Sequence, residues 1–365
     1  SPGNALTGVP STQKLYRNDG DGTFTDISAS AGIDTANGGC AVVFSDFNDD
    51  WMLDILVANC GQVDTSGQQP VPTPGSWELW MNQGDLSFVD EAAARGLDVR
   101  PGFAQGITMA DYDRDGDLDL FATGVGSADP FGAGGVLSQQ VLFEKHNGAF
   151  YDKTEEADLL GYELALGAAF ADFDADGDMD LATVGSSIAP PFGQLLGPLA
   201  GPGRVYENDG TGVMEDVIDL GLELQATSGL AVGDYDADGF VDMVIVKTAY
   251  SLETGPLGTL AGDGAPVLLH NPGNDNESLT IRLQGTQSNS MGIGARVRVS
   301  TPEGVQVQEV MAGSSFASTN SPWLTFGTGH RKWGMVQVYW PSGFSEGFII
   351  SNLDGMSTLV EGTGF

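Results

Sequence analysis

The chain has 365 residues, long enough for two domains, and sets 50 Asp and Glu against 14 Lys and Arg for a formal net charge of −36. Nucleic acid and anionic lipid would both be repelled by that charge, so neither is expected as a partner. No apolar run reaches the roughly 18 residues that a membrane-spanning helix needs, so no membrane insertion is expected.

In chain order, an N-terminal extension over residues 1–14 comes first. Its opening, Ser1-Pro-Gly-Asn4, reads as a mature terminus after cleavage of a leader. Leu15-Tyr-Arg-Asn18-Asp-Gly-Asp-Gly-Thr-Phe24 then reads as a strand, an Asn/Asp-Gly turn and a second strand. The same hairpin returns at 79–88, at 142–150 with Asn147 in the turn, and at 205–213. A fifth, partial copy is Val267-Leu-Leu-His-Asn271-Pro-Gly.

Between successive hairpins an acidic loop recurs, flanked by strand-like apolar runs. The copies are Asp46-Phe-Asn48-Asp-Asp50, Asp111-Tyr-Asp113-Arg-Asp115-Gly116, Asp172-Phe-Asp174-Ala-Asp176-Gly177 and Asp234-Tyr-Asp236-Ala-Asp238-Gly239. Each ends eight residues after its first aspartate, at Asp54, Asp119, Asp180 and Asp242. The first aspartates lie 65, 61 and 62 residues apart, a period that marks a repeat architecture.

Calcium takes six to eight oxygens in a flexible shell at about 2.3–2.6 Å, and carboxylates at alternate positions reach one ion when the backbone curls around it. Loop positions 1, 3, 5 and 9 are therefore candidate side-chain ligands. Backbone ligands are expected from Leu53, Asp117, Asp178 and Phe240. Glycine at position 6 permits the curl in three loops, whereas the first has Trp51 there and is expected to turn differently or to bind more weakly. An EF-hand would need an acid at position 12 and flanking helices. Position 12 is Val57, Ala122, Thr183 and Ile245, so that reading fails. Solvated Asp-Gly turns are the plain alternative, and four copies with the same acidic or amide positions fit it poorly. Three to four calcium ions are expected.

Cys40 and Cys60 lie symmetrically about the first loop, and the register that pairs Asp46 with Asp54 sets them opposite each other. A disulfide there would close about 20 residues, contribute roughly 3 kcal/mol by loop-closure entropy and argue for an oxidising compartment. The alternative is two buried thiols. Calcium loops with few bidentate groups suit the weak extracellular class, with dissociation constants on the order of 10⁻⁴–10⁻³ M.

One full repeat of about 62 residues holds four antiparallel strands, which is the blade of a β-propeller, here spanning 15–271. The connectors 90–97 and 154–161 read as helical turns ending at glycine. Long Gly- and Pro-rich insertions at 61–77, 124–140, 185–203 and 250–265 keep Phe131, Phe192, Leu195, Leu196 and Leu199, which are expected to pack against self or a partner. From residue 272 the repeat stops and alternating strands give a small β-rich, sandwich-like domain over 272–365. The expected fold is all-β throughout.

The acidic loops between paired strands resemble FG-GAP/VCBS repeats, the blades of integrin-type propellers. The tail resembles the ASPIC/UnbV domain: it carries Gly285-Thr-Gln-Ser-Asn289, Gly292-Ile-Gly-Ala-Arg-Val297, Phe326-Gly-Thr-Gly329 and Trp340-Pro-Ser-Gly343 in that domain's order. The resemblance covers nearly the whole chain from about residue 15. It implies a secreted, calcium-binding propeller with adhesion or matrix roles, and it does not imply a catalytic activity. The family often carries more than four blades. Four calcium hairpins and five copies of the other hairpin leave either a small closed ring or an open one with unpaired strand edges.

None of the three histidines (His146, His270, His330) sits in a His-Glu-x-x-His pattern, and no Gly-x-Ser-x-Gly elbow is present. An enzyme is therefore not expected. His146 reads as a turn residue and His270 as a domain-junction residue. Trp77, Trp80, Trp323, Trp333 and Trp340 are either sugar platforms or core. The favoured function is a secreted calcium-rigidified structural or adhesive protein that contacts an extracellular protein, a glycan or itself, a head-to-tail filament being one outcome. The alternative is a carbohydrate-binding or carbohydrate-active extracellular protein. Asn276-Glu-Ser278 is a glycosylation sequon.

Overall fold

Each acidic loop joins two strands whose side chains are apolar on both faces. Asp54–Asn59, Asp119–Gly124 and Asp180–Gly185 are buried along their whole lengths. A strand buried on both sides needs a layer on each side, and stacking of like units supplies it. The computed structural model describes residues 12–33, 39–59, 62–64, 71–73, 75–97, 104–124, 127–128, 136–137, 140–159, 165–185, 203–220, 227–247, 250–253, 259–262, 264–301, 304–329, 334–353 and 355–365.

Three units are complete four-stranded antiparallel sheets with the expected inner-to-outer order. Blade 1 holds Gly39–Ser45, Asp54–Asn59, Trp77–Asn82 and Phe88–Asp90. Blade 2 holds Ala104–Ala110, Asp119–Gly124, Val141–His146 and Ala149–Asp152. Blade 3 holds Ala165–Ala171, Asp180–Gly185, Arg204–Asn208 and Met214–Asp219. Blade 4 has three strands, Thr227–Gly233, Asp242–Lys247 and Val267–Leu269. At the other end Tyr16–Asn18 pairs with Phe24–Asp26 as a two-stranded half-blade. The fold is all-β and propeller-like, and its inner strands contact one another in the order blade 1, 2, 3, 4.

Blade-to-blade cores form by alternation along each strand. Residues facing the next blade, such as Phe121 and Leu142 of blade 2, meet residues facing the previous one, such as Phe170, Leu181 and Tyr206 of blade 3. The half-blade, with the short helix Ser28–Ala31, caps blade 1: Leu15, Ile27, Ala31 and Ile33 pack on Ile55, Val57 and Trp80.

The tail is a two-sheet sandwich. One sheet orders Leu324–Gly329, Glu277–Gln284 and Gly355–Val360, the last pair parallel. The other orders Gly304–Glu309, Arg296–Thr301, Gly334–Tyr339 and Ser345–Ile350. Leu279, Ile281 and Phe326 of one sheet close a core with Val297, Val299, Val336 and Val338 of the other, and Trp340 is fully buried among them.

Tail residues 311–323 run across the inner strands of all four blades. The Ser315 amide donates to the Ile107 carbonyl (2.6 Å), and the Ser315 hydroxyl accepts from the Ala168 amide (3.1 Å). The Ser321 amide donates to the Val232 carbonyl (2.9 Å), while a side chain at Gly313 would crowd the Val42 carbonyl. The inner strands make room with Gly106 and Gly167. A Cβ at Gly106 would lie 3.0 Å from the Phe316 amide nitrogen, and one at Gly167 would lie 2.9 Å from the Ser315 hydroxyl.

Several sequence expectations change here. Trp77, Trp80 and Trp340 are 5, 6 and 0 % exposed, so these three are core and not sugar platforms. Trp323 is the more exposed one, with Arg282 over its ring, and Trp333 lies outside the described residues. Asn276 donates its side-chain amide to the Asp174 carbonyl (2.9 Å) and Ser278 is buried, so the sequon is part of the propeller–tail junction. Phe131, Phe192, Leu195, Leu196 and Leu199 lie outside the described residues. Among the described residues no cysteine is free. Cys60 is itself outside the described residues, so the pairing with Cys40 stays with the proposals.

Candidate metal centres

All four acidic loops share one backbone. Position 4 has positive φ in every copy: Asp49 at 61°, Arg114 at 61°, Ala175 at 59° and Ala237 at 61°. Position 6 is left-handed as well, with Trp51 at 70° beside Gly116 at 96°, Gly177 at 102° and Gly239 at 95°. The first loop therefore does not turn differently, contrary to the expectation from Trp51. Its tryptophan accepts a conformation that side chains resist, and its ring stacks on Tyr339 of the tail, centroids 5.0 Å apart. Replacing Trp51 by Ala is expected to lose that stacking, about 1 kcal/mol, and to keep the strained backbone. Glycine at the same position relieves the strain, so Trp51→Gly should be the more stable variant by about 1 kcal/mol in urea unfolding.

The curl is fixed by the acids themselves. The position-1 carboxylate accepts the position-6 amide: Trp51 to Asp46 (2.8 Å), Gly116 to Asp111 (3.2 Å), Gly177 to Asp172 (3.0 Å) and Gly239 to Asp234 (3.0 Å). The position-5 carboxylate accepts the position-7 amide, as Asp50 does from Met52 and Asp115 from Asp117, both 2.8 Å. Position 7 of the first loop is thus Met52. Leu53 is position 8, and its carbonyl accepts the Asn82 side-chain amide (3.1 Å), so the expected backbone ligand of this loop moves by one residue.

The position-9 aspartates do structural duty. Each is nearly inaccessible, with one oxygen on its own loop and the other on the following hairpin. Asp180 accepts from the Phe173 amide (2.8 Å) and the Asn208 amide (2.9 Å). Asp54 does the same with Phe47 and Asn82, Asp119 with Tyr112 and Lys145, and Asp242 with Tyr235 and Asn271. The hairpin Asn completes a latch between blades: Asn208 donates its side-chain amide to Tyr112 of blade 2 (2.8 Å) and Asn271 to Phe173 of blade 3 (2.7 Å). In blade 2 this place belongs to Lys145 rather than Asn147. The lysine is 2 % exposed and reaches Asp117 (3.0 Å) and Asp49 of blade 1 (3.8 Å). The recurrence of Asn 28 or 29 residues after the last aspartate was the signal that could have revealed the latch.

Carboxylates gather where the metal reading needs them. Oxygens of Asp111, Asp113 and Asp115 lie within 4.8 Å of one another, as do those of Asp172, Asp174 and Asp180, and of Asp234, Asp236 and Asp238. Two ligands at about 2.4 Å from one ion are at most twice that apart, so the spacing fits. Asp111 also has a buried Oδ2 with no hydrogen-bond partner. Burial, reinforced by neighbouring carboxylates, pushes Asp111 up to about 7, and burial also holds Asp172 well above the usual carboxylate range. Burial likewise lifts Asp119 to about 9 and Asp180 to about 8 against their amide donors. A divalent cation would relieve that accumulation of charge. In the first loop the Asn48 amide donates to Asp50 (2.9 Å) and supplies a neutral oxygen at position 3. The Asp117 and Asp178 side chains turn away to cations, Lys145 and Arg114, which is compatible with their carbonyls being the expected ligands. His270 was missed as a site residue. Its Nδ1 lies 3.2 Å from Asp242 and 3.6 Å from Asp236, so the fourth loop has a second, nitrogen-bearing donor set.

The tail holds three of the loops, the Ser278 hydroxyl donating to the Gly239 carbonyl of the fourth. Asp172 accepts the Gly327 amide (2.9 Å), and Arg296 binds the Asp46 carbonyl (3.0 Å) and pairs with Asp49. Residues 285–364 match the family model described as ASPIC and UnbV. The chain is 24 % identical over 336 residues to cartilage acidic protein 1 of Homo sapiens, covering 87 % of this chain and 43 % of that protein. It is 29 % identical over 191 residues to cartilage acidic protein 1 of Xenopus tropicalis, covering 50 % and 26 %. The chain thus spans less than half the length of the curated relatives it matches. Among solved structures it is similar to AofleA from Arthrobotrys oligospora, with a TM-score of 0.29 and 10 % identity over 86 % of this chain and 90 % of that one, a score too low to support an argument.

Proposed function

We propose, from the premise that the chain is an ASPIC/UnbV-domain relative of cartilage acidic protein 1, that it is a secreted calcium-binding structural or adhesive protein. Calcium would sit in the four loops and rigidify blades of the FG-GAP/VCBS type. The observation that carries this reading is the buried, unpartnered Asp111 Oδ2 amid Asp113 and Asp115, in a backbone loop built four times over. Such an oxygen leaves a desolvation penalty that hydrogen bonds do not offset, and a hard cation offsets it. The proposed role is non-catalytic. Its partners would be an extracellular protein, a glycan or a further copy of the chain, and a Cys40–Cys60 disulfide would accord with secretion.

Titration calorimetry tests it directly. The expected result is three to four calcium ions per chain with dissociation constants on the order of 10⁻⁴–10⁻³ M. Asp174→Ala should remove one ion and leave the other sites within about threefold, because stacked repeats contact mainly their neighbours. No calcium heat at millimolar concentration would overturn the reading.

A further inference from the structure

The residue just before each latch position differs among the four copies. It is Met81, Glu144, Glu207 or His270, each one residue ahead of the amide that binds the position-9 aspartate. Met81 is buried in the core, and Glu144 pairs with Lys153 (3.7 Å). Glu207 lines a recess together with Asp174 and Asp180 of the third loop. His270 brings a nitrogen instead. Its Nδ1 lies 3.2 Å from Oδ1 of Asp242 and 3.6 Å from Oδ2 of Asp236, and the ligand atoms of all three lie within 4.8 Å of one another. His146 of blade 2 reaches one carboxylate, Asp115, at 3.5 Å.

An imidazole changes the class of metal and does not merely weaken a calcium site. Calcium takes oxygen ligands, whereas imidazole suits zinc, copper, iron and nickel. The spacing agrees with a small ion. Two ligands about 2.0–2.1 Å from a tetrahedral ion lie about 3.4 Å apart, between the two distances that His270 makes. The donors are also held in place. Asp242 is nearly inaccessible and accepts the Tyr235 amide (3.1 Å) and the Asn271 amide (2.8 Å). The Tyr235 ring packs edge-on against the imidazole, centroids 6.1 Å apart. Such outer contacts orient metal ligands. His270 and Asp236 are partly exposed, which gives an ion a way in and leaves room for water as a fourth ligand.

We propose that the fourth loop takes a zinc-class transition-metal ion on Asp236, Asp242 and His270 in place of calcium. Asp236 and Asp242 are positions 3 and 9 of the calcium set, so the two ions compete there. This inference rests on the metal reading of the loops and names a different metal for one of them.

The test is zinc calorimetry on the chain in about 5 mM calcium, enough to fill weak calcium sites, with cobalt(II) absorption reporting the nitrogen ligand. One zinc per chain is expected, bound more than about tenfold tighter than calcium. His270→Gln should weaken zinc more than about tenfold, while His146→Gln leaves it unchanged. His270→Glu copies the residue of the third loop. It should lose the preference for zinc and keep calcium, which a merely structural histidine would not predict. A thermal melt confirms that each variant is folded. Absence of zinc heat in the parent chain, or zinc binding unmoved by His270→Gln, overturns the inference. Calcium heats without zinc heats would overturn it alone, and zinc heats without calcium heats would overturn the calcium reading alone.

Discussion

Chelation by EDTA is expected to lower the melting temperature by about 7 °C relative to about 5 mM calcium. At a dissociation constant near 0.5 mM each site contributes roughly 1.4 kcal/mol by mass action, and four sites about 6 kcal/mol. Unfolding entropy near 2.1 cal/mol/K per residue gives a chain of this length about 0.8 kcal/mol/K, which converts that energy to the stated shift. Magnesium at matched ionic strength separates binding from screening, because its demand for octahedral geometry suits these loops poorly. The pH dependence has a definite sign. Burial raises Asp111 to about 7 and Asp180 to about 8, above their unfolded values. In EDTA their contribution is therefore most favourable below about pH 4 and is lost as pH rises through about 7–8. The melting temperature should fall from pH 5 to pH 8 in EDTA, and bound calcium should reverse or flatten that slope. An EDTA melt that matches the calcium melt at pH 8 would end the metal reading.

Glu361→Gln is expected to destabilise the tail by roughly 2–3 kcal/mol, or about 3–4 °C. One carboxylate oxygen accepts three successive amides, Thr286 and Gln287 at 2.7 Å and Ser288 at 2.8 Å. The other accepts the hydroxyls of Ser288 (2.9 Å) and Ser342 (2.6 Å). Burial pushes the Glu361 carboxyl up, and the Ser342 hydroxyl and the three amides outweigh it to hold the group at about 2. A depressed value means stability present above about pH 4.5 and lost as pH falls through about 2. The gap between parent and variant, measured by urea unfolding, should be full at pH 7 and shrink steadily below pH 4.5. A gap independent of pH would mean that shape, not charge, does the holding. This one residue also explains why Gly285-Thr-Gln-Ser-Asn289 and Trp340-Pro-Ser-Gly343 occur together: they are the two halves of its cradle.

The repeat was legible because it is local. Positions 1, 3, 5 and 6 of each loop report a backbone that closes on itself within six residues, and the structure bears this out even where Trp51 replaces glycine. Strand alternation gave the blades and most of the sandwich for the same reason. Contacts between distant segments were not legible. Nothing in the first loop announces that Trp51 has Tyr339 to rest on, or that Asp172 will meet Gly327. The position-9 aspartates were read as ligands, but their spacing alone could not show that each also accepts one amide from its own loop and one from the following hairpin. Lys145 escaped notice because alignment by the turn asparagine, Asn147, hides that the lysine holds the latch position.

The passage of residues 311–323 over the inner strands of all four blades has a kinetic consequence. The Ser315–Ile107 pairing spans about two hundred residues, and the approach of Gly313 to Val42 spans more. During synthesis from the N terminus the blades exist before the segment that lines their inner edge, so the earliest-made strands wait longest for their final neighbours. Contacts of such separation slow folding. The ordering step for the propeller thus belongs to the last quarter of the chain, and a lesion in the tail would first be felt as unpaired inner strands in blades that are themselves intact.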